Sequence, residues 1–511
     1  MTAVVGQALP GAPATSLRDA LLATCHDLAQ RCSPETAAGV GHVAARLSSP
    51  LQVAVAGRIS SGKSTLVNAL IGRRVAPTAV GECTRLVTRF SYGDVDRVEV
   101  ITHAGARTVV PLTAEGMIPA DVATLAGVRP EEVSHLEAYL TSALLAELTV
   151  VDTPGLGSLD IASSARTDAH LVGSTRSAVA GAEAVLYVFT QTVRADDAEA
   201  LAAFAGATAG QEAGPVNALG LLNKADTVAP ESVAEAGGNV SQAARLLAAA
   251  QQRLLGSRVA EVLPVIGLLG ETCETGGLGA REVEALRVLA AVPDDTRIAM
   301  LLATDLFLSL DCPLDVATRR HLLEVLDLYG VACAVRALRA DPHMSVGRLR
   351  TALNAVSGLA QVRERLAVVF SARAEGIKAS AALASLSALA RSCPQPSDQR
   401  LLRGAVEQLL RRPETHQLRL VEVQTLLRTG AVPLPPALVG EALRLRPGTA
   451  PAHQLGLPGA TRAELAERAL QRAGWWRSFA TFAEDTGQAR VGQVVHRAYF
   501  LLWQELRDAA R

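Results

Sequence analysis

The chain has 511 residues, 49% of them apolar, and a formal net charge of −1. That length suggests two to four domains with room for large buried cores. The near-neutral charge excludes a global field that would draw nucleic acid or anionic lipid. In chain order, residues 17–47 read as helix, with Ser33 as N-cap and Pro34 at the first position of a second helix. The apolar run LQVAVAG (51–57) reads as a strand, followed by a glycine loop and the helical run KSTLVNALIG. Strand-like runs follow at LVTRF, RVEVIT, RTVVPL, LTVVDTPG, AVLYVFTQ, NALGLLNKAD and VLPVIGLL, with helical patterns between the later ones. Such alternation predicts a mostly parallel sheet with helices on both faces.

After about residue 290 strand signals stop. Leu359, Val362, Leu366 and Val369, then Leu383, Leu386 and Ala390, recur at helical spacing, which predicts one helix from Leu353 to Arg391. At 1.5 Å per residue it would be roughly 55–60 Å long. Breakers interrupt the helical pattern at 392–398, 429–440 and 446–461. The expected division is therefore 1–49, N-terminal helices that join a neck; 50–290, an α/β nucleotide domain; and 291–511, a helical neck and trunk. Candidate tip loops fall near 392–398 and 429–440. Trp475 and Trp476 read as packing anchors of the last helices.

The seven cysteines are scattered and form no C-x-x-C, so reduced thiols in a cytosol and no zinc site are expected. His26, His42, His103, His135 and His170 share no metal spacing. The first residues have no basic flank or long apolar core, so they do not read as a signal peptide. No uncharged apolar run reaches the ~18 residues that span a bilayer. Any membrane role is expected to be peripheral. The Arg-rich stretches at Arg403, Arg411, Arg412 and Arg419, and at Arg444 and Arg446, read as solvated helix faces.

Lysine is nearly absent: Lys63, Lys224 and Lys378 stand against 46 arginines. Two of the three lie in candidate nucleotide motifs. A phosphate loop takes a compact point charge on a flexible stem, which arginine does not match, so the retained lysines mark chemistry.

Gly57-Arg58-Ile59-Ser60-Ser61-Gly62-Lys63-Ser64 fits G-x-x-x-x-G-K-[ST] between a strand and a helix. Its amides would wrap a β-phosphate at a helix N-terminus; Lys63 would bridge β- and γ-phosphates and Ser64 would ligate Mg²⁺, with Thr65 beside it. VVDTPG places Asp152 at a strand end, to hold Mg²⁺ through water, and Gly155, whose N–H can sense the γ-phosphate. The run NKAD supplies Asn223, Lys224 and Asp226; a carboxylate placed like Asp226 accepts from guanine N1 and N2, a donor pair adenine lacks. Three motifs in this order, each after a strand, predict a GTP site. Gly267 stands where a small polar residue often closes the guanine pocket, so that contact would come from backbone. Thr84, in the run APTAVGECTR, could offer its hydroxyl to Mg²⁺ and its carbonyl to the attacking water; Thr78 and Thr88 are rivals. No residue offers an obvious glutamine or arginine finger in cis, Arg58 being the nearest.

With these motifs placed, the chain resembles the bacterial dynamin-like GTPases. The residues that carry the resemblance are PLQVAVAGRISSGKSTLVNALIG, APTAVGECTRLVTRF, VDTPG and NKAD. The likeness is greatest to the shorter of the two isoniazid-inducible dynamin-like GTPases of actinobacteria, and looser to actinobacterial sporulation dynamins. It is strong over 50–160, and recognisable in layout but weak in sequence through the C-terminal half. It implies an α/β P-loop GTPase domain plus an extended helical neck and trunk bundle built from both chain ends. It implies GTP/GDP and Mg²⁺ as ligands, with Ser60 and a monovalent cation near the β–γ bridging oxygen and Thr84 as switch threonine. It also implies GTP-dependent self-association, a paralogous partner and peripheral contact with lipid at the inner face of the membrane, but no nucleic acid. Several relatives carry lysine at the place of Ser60, and no long hydrophobic paddle is evident here. Two readings stay open: a GTPase that remodels membranes, and a GTP-dependent scaffold that acts on a protein without touching lipid.

Overall fold

Residues of β1 (Leu51–Gly57) alternate between two cores, Val53 and Val55 in one and Ala54 and Ala56 in the other. Successive strand side chains point to opposite faces, so a strand buried on both reads as one continuous apolar run. In β7 (Ala184–Thr190), Leu186 and Val188 likewise join the first core, and Tyr187 and Phe189 the second. The computed structural model describes residues 16–78, 86–154, 182–194, 197, 201, 217–371, 374–428, 430, 432–446 and 449–508.

The other described strands are β2 (Thr88–Tyr92), β3 (Arg97–Thr102), β4 (Arg107–Val110), β5 (Val133–Leu140), β6 (Leu148–Asp152), β8 (Ala218–Asn223) and β9 (Glu261–Pro264). Among the described residues they form one sheet in the order β4-β3-β5-β2-β6-β1-β7-β8-β9. Pairing is parallel from β6 through β1, β7 and β8 to β9, and between β2 and β5. The β2–β6, β3–β4 and β3–β5 pairs are antiparallel. The mostly parallel sheet is as expected. β5 is additional to the expected strands; Leu136, Ala138 and Leu140 face inward, and His135, Glu137 and Tyr139 are only half-buried. The run VLPVIGLL is a strand only to Pro264, because a helix begins at Gly267 (Gly267–Glu274).

No single helix runs from 353 to 391. The chain forms three, Val346–Ser357, Leu359–Val369 and Ala374–Ser392. The first break is at Gly358, which adopts φ 77°. A Cβ there would stand 2.6 Å from the Pro264 carbonyl oxygen, so only glycine lets this turn approach the end of β9. The helix Leu359–Val369 then lies on the sheet, its Leu359, Val362, Leu366 and Val369 in the same core as Val53 and Val55. The expected apolar spacing is real, but it serves two cores: Leu359 to Val369 dock on the sheet, and Leu383, Leu386 and Ala390 face the helical bundle.

Helices α1 (Leu17–Arg31) and α2 (Pro34–Ser48) meet the helices Ala374–Ser392 and Pro396–Arg411 in one core that includes Leu21, Leu28, Val40, Leu386 and Leu402. The N-terminal helices thus build a bundle with residues 374–411, and the chain's last helices lie in a separate core. Ser33 N-caps α2, but its hydroxyl donates to Asp398 Oδ2 at 2.6 Å and ties α2 to the helix Pro396–Arg411. Lys378, the lysine outside the motifs, is buried in the same region. Its Nζ donates to the Arg46 carbonyl and, at 3.3 Å, to that of Pro50, with Glu183 Oε1 at 3.8 Å. Glu183 Oε2 accepts from the Gln52 amide, so this ion group joins the bundle to β1.

A further core holds the C-terminal helices, including the hairpin of Arg462–Thr481 and Thr486–Asp508. Trp476 is fully buried as an anchor, whereas Trp475 is 40% exposed and stacks on Phe479. Val432, in the candidate tip segment 429–440, is 2% exposed and belongs to this core. Among the described residues no helix is long and apolar enough to cross a membrane.

Candidate nucleotide site

The end of β1 turns through a loop into helix α3 (Lys63–Ile71), and its two glycines fit for different reasons. A Cβ on Gly57 would stand 2.0 Å from the Val188 carbonyl oxygen of the neighbouring strand. Gly62 has φ 87°, and a Cβ there would stand 2.3 Å from Asn223 Nδ2. Ser60 also has positive φ, 61°, an uncommon conformation for a side-chain-bearing residue and one that clusters at ligand clamps. Lys63 is buried, and its Nζ donates to the carbonyls of Gly57 at 3.1 Å and Arg58 at 2.8 Å. Burial pushes its pKa down, and the Asp152 charge opposes that shift.

Asp152 ends β6, directly beside Val55 of β1. Its Oδ2 accepts from the Ser64 hydroxyl at 2.9 Å, while Oδ1 is buried and accepts no hydrogen bond. Burial raises the carboxyl to about 6 against the pull of Lys63 and the Ser64 hydroxyl. A hydroxyl and a carboxylate with a spare oxygen, facing a glycine cradle, suit a hard divalent cation such as Mg²⁺.

The two ends of the motif set are joined by Asn223. Its Nδ2 donates to the Ser61 carbonyl at 2.7 Å, and its Oδ1 accepts from the Gly267 amide at 2.9 Å. A Cβ on Gly267 would lie 3.0 Å from Asn223 Oδ1 and 3.1 Å from Leu66, which explains glycine there. Lys224 is exposed, with φ 55°. Asp226 is half-buried and its pKa is raised, first by burial and then by the Asp327 charge, with Lys224 opposing. Thr65 lies half-buried on α3. Of the switch candidates, Thr78 is exposed, whereas Thr88 is buried in β2 opposite Asp152. Thr84 and Gly155 lie outside the described residues.

The Dynamin family model matches residues 53–207, which contain the phosphate loop and Asp152. The isoniazid-induced protein IniC of Mycobacterium tuberculosis, in strains CDC 1551 / Oshkosh and ATCC 25618 / H37Rv, is 33% identical over 439 residues, 85% of this chain and 86% of the relative. The chain belongs to the dynamin family. Its α/β part is a dynamin-family GTPase domain. A protein from Caldicellulosiruptor sp. strain Rt8B.4, encoded in the xynA 3′ region, is 28% identical over 105 residues, 20% of this chain and 26% of that protein. Two solved structures of an oligomerised bacterial dynamin pair cover 96% of this chain and 75% of theirs, at 12% and 11% identity with TM-scores of 0.29 and 0.31. An Aquifex aeolicus Era variant bound to GDP·AlF4⁻ covers 43% of this chain and 52% of its own, at 17% identity and TM-score 0.24.

The dynamin-like GTPase domain also carries groups that no motif announces. Asp197 is 1% exposed and accepts from Arg58 Nε at 3.0 Å, the Tyr187 hydroxyl at 2.8 Å and the Arg194 amide at 2.8 Å. Arg58 is thus turned toward the chain after β7, which removes it as a finger in cis and makes it a strut of the loop. Asn68 of α3 joins the carbonyl of Ala76, the amides of Val75 and Ala76, and Glu271. Asp327 interrupts the helix Val316–Ala340 with φ 55° close enough to Asp226 to act on its charge. The Arg58–Asp197, Asn68–Glu271 and Asp226–Asp327 pairs join residues far apart in sequence, so no local spacing could have signalled them.

Proposed function

We propose that this chain binds GTP with Mg²⁺, hydrolyses it to GDP and phosphate, and couples nucleotide-dependent pairing of GTPase domains to membrane remodelling, by fusion or fission, in a bacterial cell. The observation that carries this reading is the meeting of Lys63, Ser64 and Asp152 at a glycine cradle that Asn223 ties to the segment bearing Asp226. The amides of residues 58–64 take the phosphates, and Lys63 exchanges its loop carbonyls for phosphate oxygens. Ser64 and Asp152 hold the cation, which when bound neutralises charge on the phosphate oxygens. Asp226 accepts from guanine N1 and N2, with the Lys224 stem over the base. Thr84 orients the attacking water, the Gly155 amide senses the γ-phosphate, and Ser60 with a monovalent cation faces the bridging oxygen.

Ile59 supports pairing across the nucleotide face: it is an apolar residue of the phosphate loop, 63% exposed beside Ser60. A second copy, or a paralogous dynamin-like partner, would cover it. For lipid contact we place the tip at the hairpin turn and not at Val432. Phe482 is 84% exposed there, near the segment 432–435, since Gln488 Nε2 donates to the Pro433 carbonyl at 3.3 Å. An exposed Phe on an otherwise polar surface suits shallow burial at the membrane–water interface. Sedimentation with liposomes, with and without a non-hydrolysable GTP analogue, tests this. Pelleting that requires the analogue and is lost in Phe482→Ser is expected. A chain that pairs with GTP but never pellets would favour the scaffold reading.

A further inference from the structure

Behind the nucleotide cradle runs a chain of buried polar contacts that faces neither phosphate nor base. Asn68, on α3, is fully buried. Its Oδ1 accepts from the Val75 and Ala76 amides at 3.0 and 2.8 Å, and its Nδ2 donates to the Ala76 carbonyl at 2.9 Å. One side chain thus holds both backbone groups of Ala76, as a neighbouring strand would. Val75 and Ala76 are themselves buried, and the sequence runs on from them through Thr78 into 79–85, which includes Thr84. Asn68 Nδ2 also donates to Glu271 Oε1 at 2.8 Å. That carboxylate is 2% exposed, and its Oε2 accepts from the Arg74 guanidinium at 3.5 Å. Burying a carboxylate on a neutral amide and a distant guanidinium is costly, and packing alone would be served by an apolar side chain.

Glu271 lies on the helix Gly267–Glu274, whose first residue donates its amide to Asn223 Oδ1 at 2.9 Å. Only ~6 Å of helix separates the two contacts at 1.5 Å per residue. The path from the guanine-reading segment to the chain after α3 is therefore continuous: Asn223, Gly267, Glu271, Asn68, Ala76. A second bridge joins the same helix to α3. Glu274 Oε2 pairs with Arg363 Nη1 at 2.9 Å, and Arg363 donates to the Ala69 and Leu70 carbonyls at 2.9 and 3.3 Å. That bridge ends on the last turn of α3. Holding the two helices together and holding Val75 and Ala76 are thus separate tasks, given to different side chains.

We propose, on the GTPase reading above, that Glu271 is a positioning residue: through Asn68 it makes the placement of Val75 and Ala76 depend on what fills the guanine side. Hydrogen exchange of those two amides in the full chain, with and without GDP, tests it. In the wild type GDP should slow their exchange at least about five-fold. Glu271→Met keeps the volume and removes the acceptor, so the slowing should vanish. Its kcat should fall about five-fold while KM for GTP stays within about two-fold. Glu271→Gln retains an acceptor and should restore both. Arg363→Met breaks the other bridge, so it should lower the thermal melt yet leave the GDP-dependent slowing in place. Glu271→Ala supplies a second break should the methionine variant melt below the assay temperature. Slowing in the Glu271 variants equal to wild type, no slowing in a wild-type chain that binds GDP, or equal loss in Arg363→Met would overturn the proposal. A wild-type chain that does not bind GDP at all would refute the nucleotide reading, and the proposal with it.

Discussion

The sheet domain and the C-terminal helical core both bury polar side chains, but to different ends. Around the phosphate loop Lys63, Asn68, Asn223, Asp197 and Glu271 are all buried, and each is engaged with backbone or with another polar side chain. Lys63 donates to its own loop and Ser64 to Asp152, leaving Asp152 Oδ1 without a partner. In the C-terminal core the corresponding group is Glu441, held by both arms of Arg472 at 2.6 and 2.7 Å and by Trp476 Nε1 at 3.0 Å. It joins two residues of the helix Arg462–Thr481 and has the form of a structural clamp. A polar set that converges with spare capacity makes a ligand site, whereas one that closes on itself fixes helices.

The contrast can be broken first in the helical core. Val432→Asp places a carboxylate at a 2% exposed position, and a loss of about 4 kcal/mol is expected, with GTP hydrolysis retained. A two-step denaturant melt followed by Trp fluorescence would show it; an unchanged melt with lost liposome binding would restore Val432 as a lipid contact. His416 sharpens the same point. Its pKa is lowered from 6.5 to about 4, so on acidification the unfolded chain takes up a proton that the folded core refuses. Stability of this core is expected to fall as pH drops from about 6.5 to 4, by up to ~3 kcal/mol, and His416→Gln should flatten that slope.

In the sheet domain the effects should appear in binding and turnover. Gly62→Val drives a branched side chain into Asn223 at a positive φ, so nucleotide affinity should fall by more than about 100-fold, ~2.7 kcal/mol, without loss of helical circular dichroism. Thr84→Ala should bind GTP nearly normally yet hydrolyse it at least ~10-fold slower, a barrier change of about 1.4 kcal/mol. Wild-type specific activity should rise with protein concentration. Activity flat over a hundred-fold dilution would remove pairing from the account.

The same contrast governs what could be read beforehand. The phosphate loop, Asp152 and Asn223-Lys224-Asp226 are legible because one ligand imposes short fixed spacings at strand ends. The sheet is legible from apolar runs, apart from β5, where His135, Glu137 and Tyr139 dilute the signal. The helix expected from 353 to 391 has the right periodicity but the wrong continuity, because Gly358 must pass the end of β9 and nothing local says so. The segment 429–440 reads as a candidate tip loop from its prolines, and the packing of Val432 under the hairpin is a tertiary fact that no local pattern carries. Asp197 and Arg58 meet only through the sheet.

If the convergent set in the sheet domain reads guanine, it does so through Asp226. Nucleotide affinities of the wild-type chain and Asp226→Asn for GTP, ATP and xanthosine triphosphate test it most directly. GTP selectivity over ATP is expected in the wild type, with weakened GTP binding in the variant and a gain for the xanthosine nucleotide. Equal GTP affinity in the two chains, with no gain for xanthosine triphosphate, would contradict it.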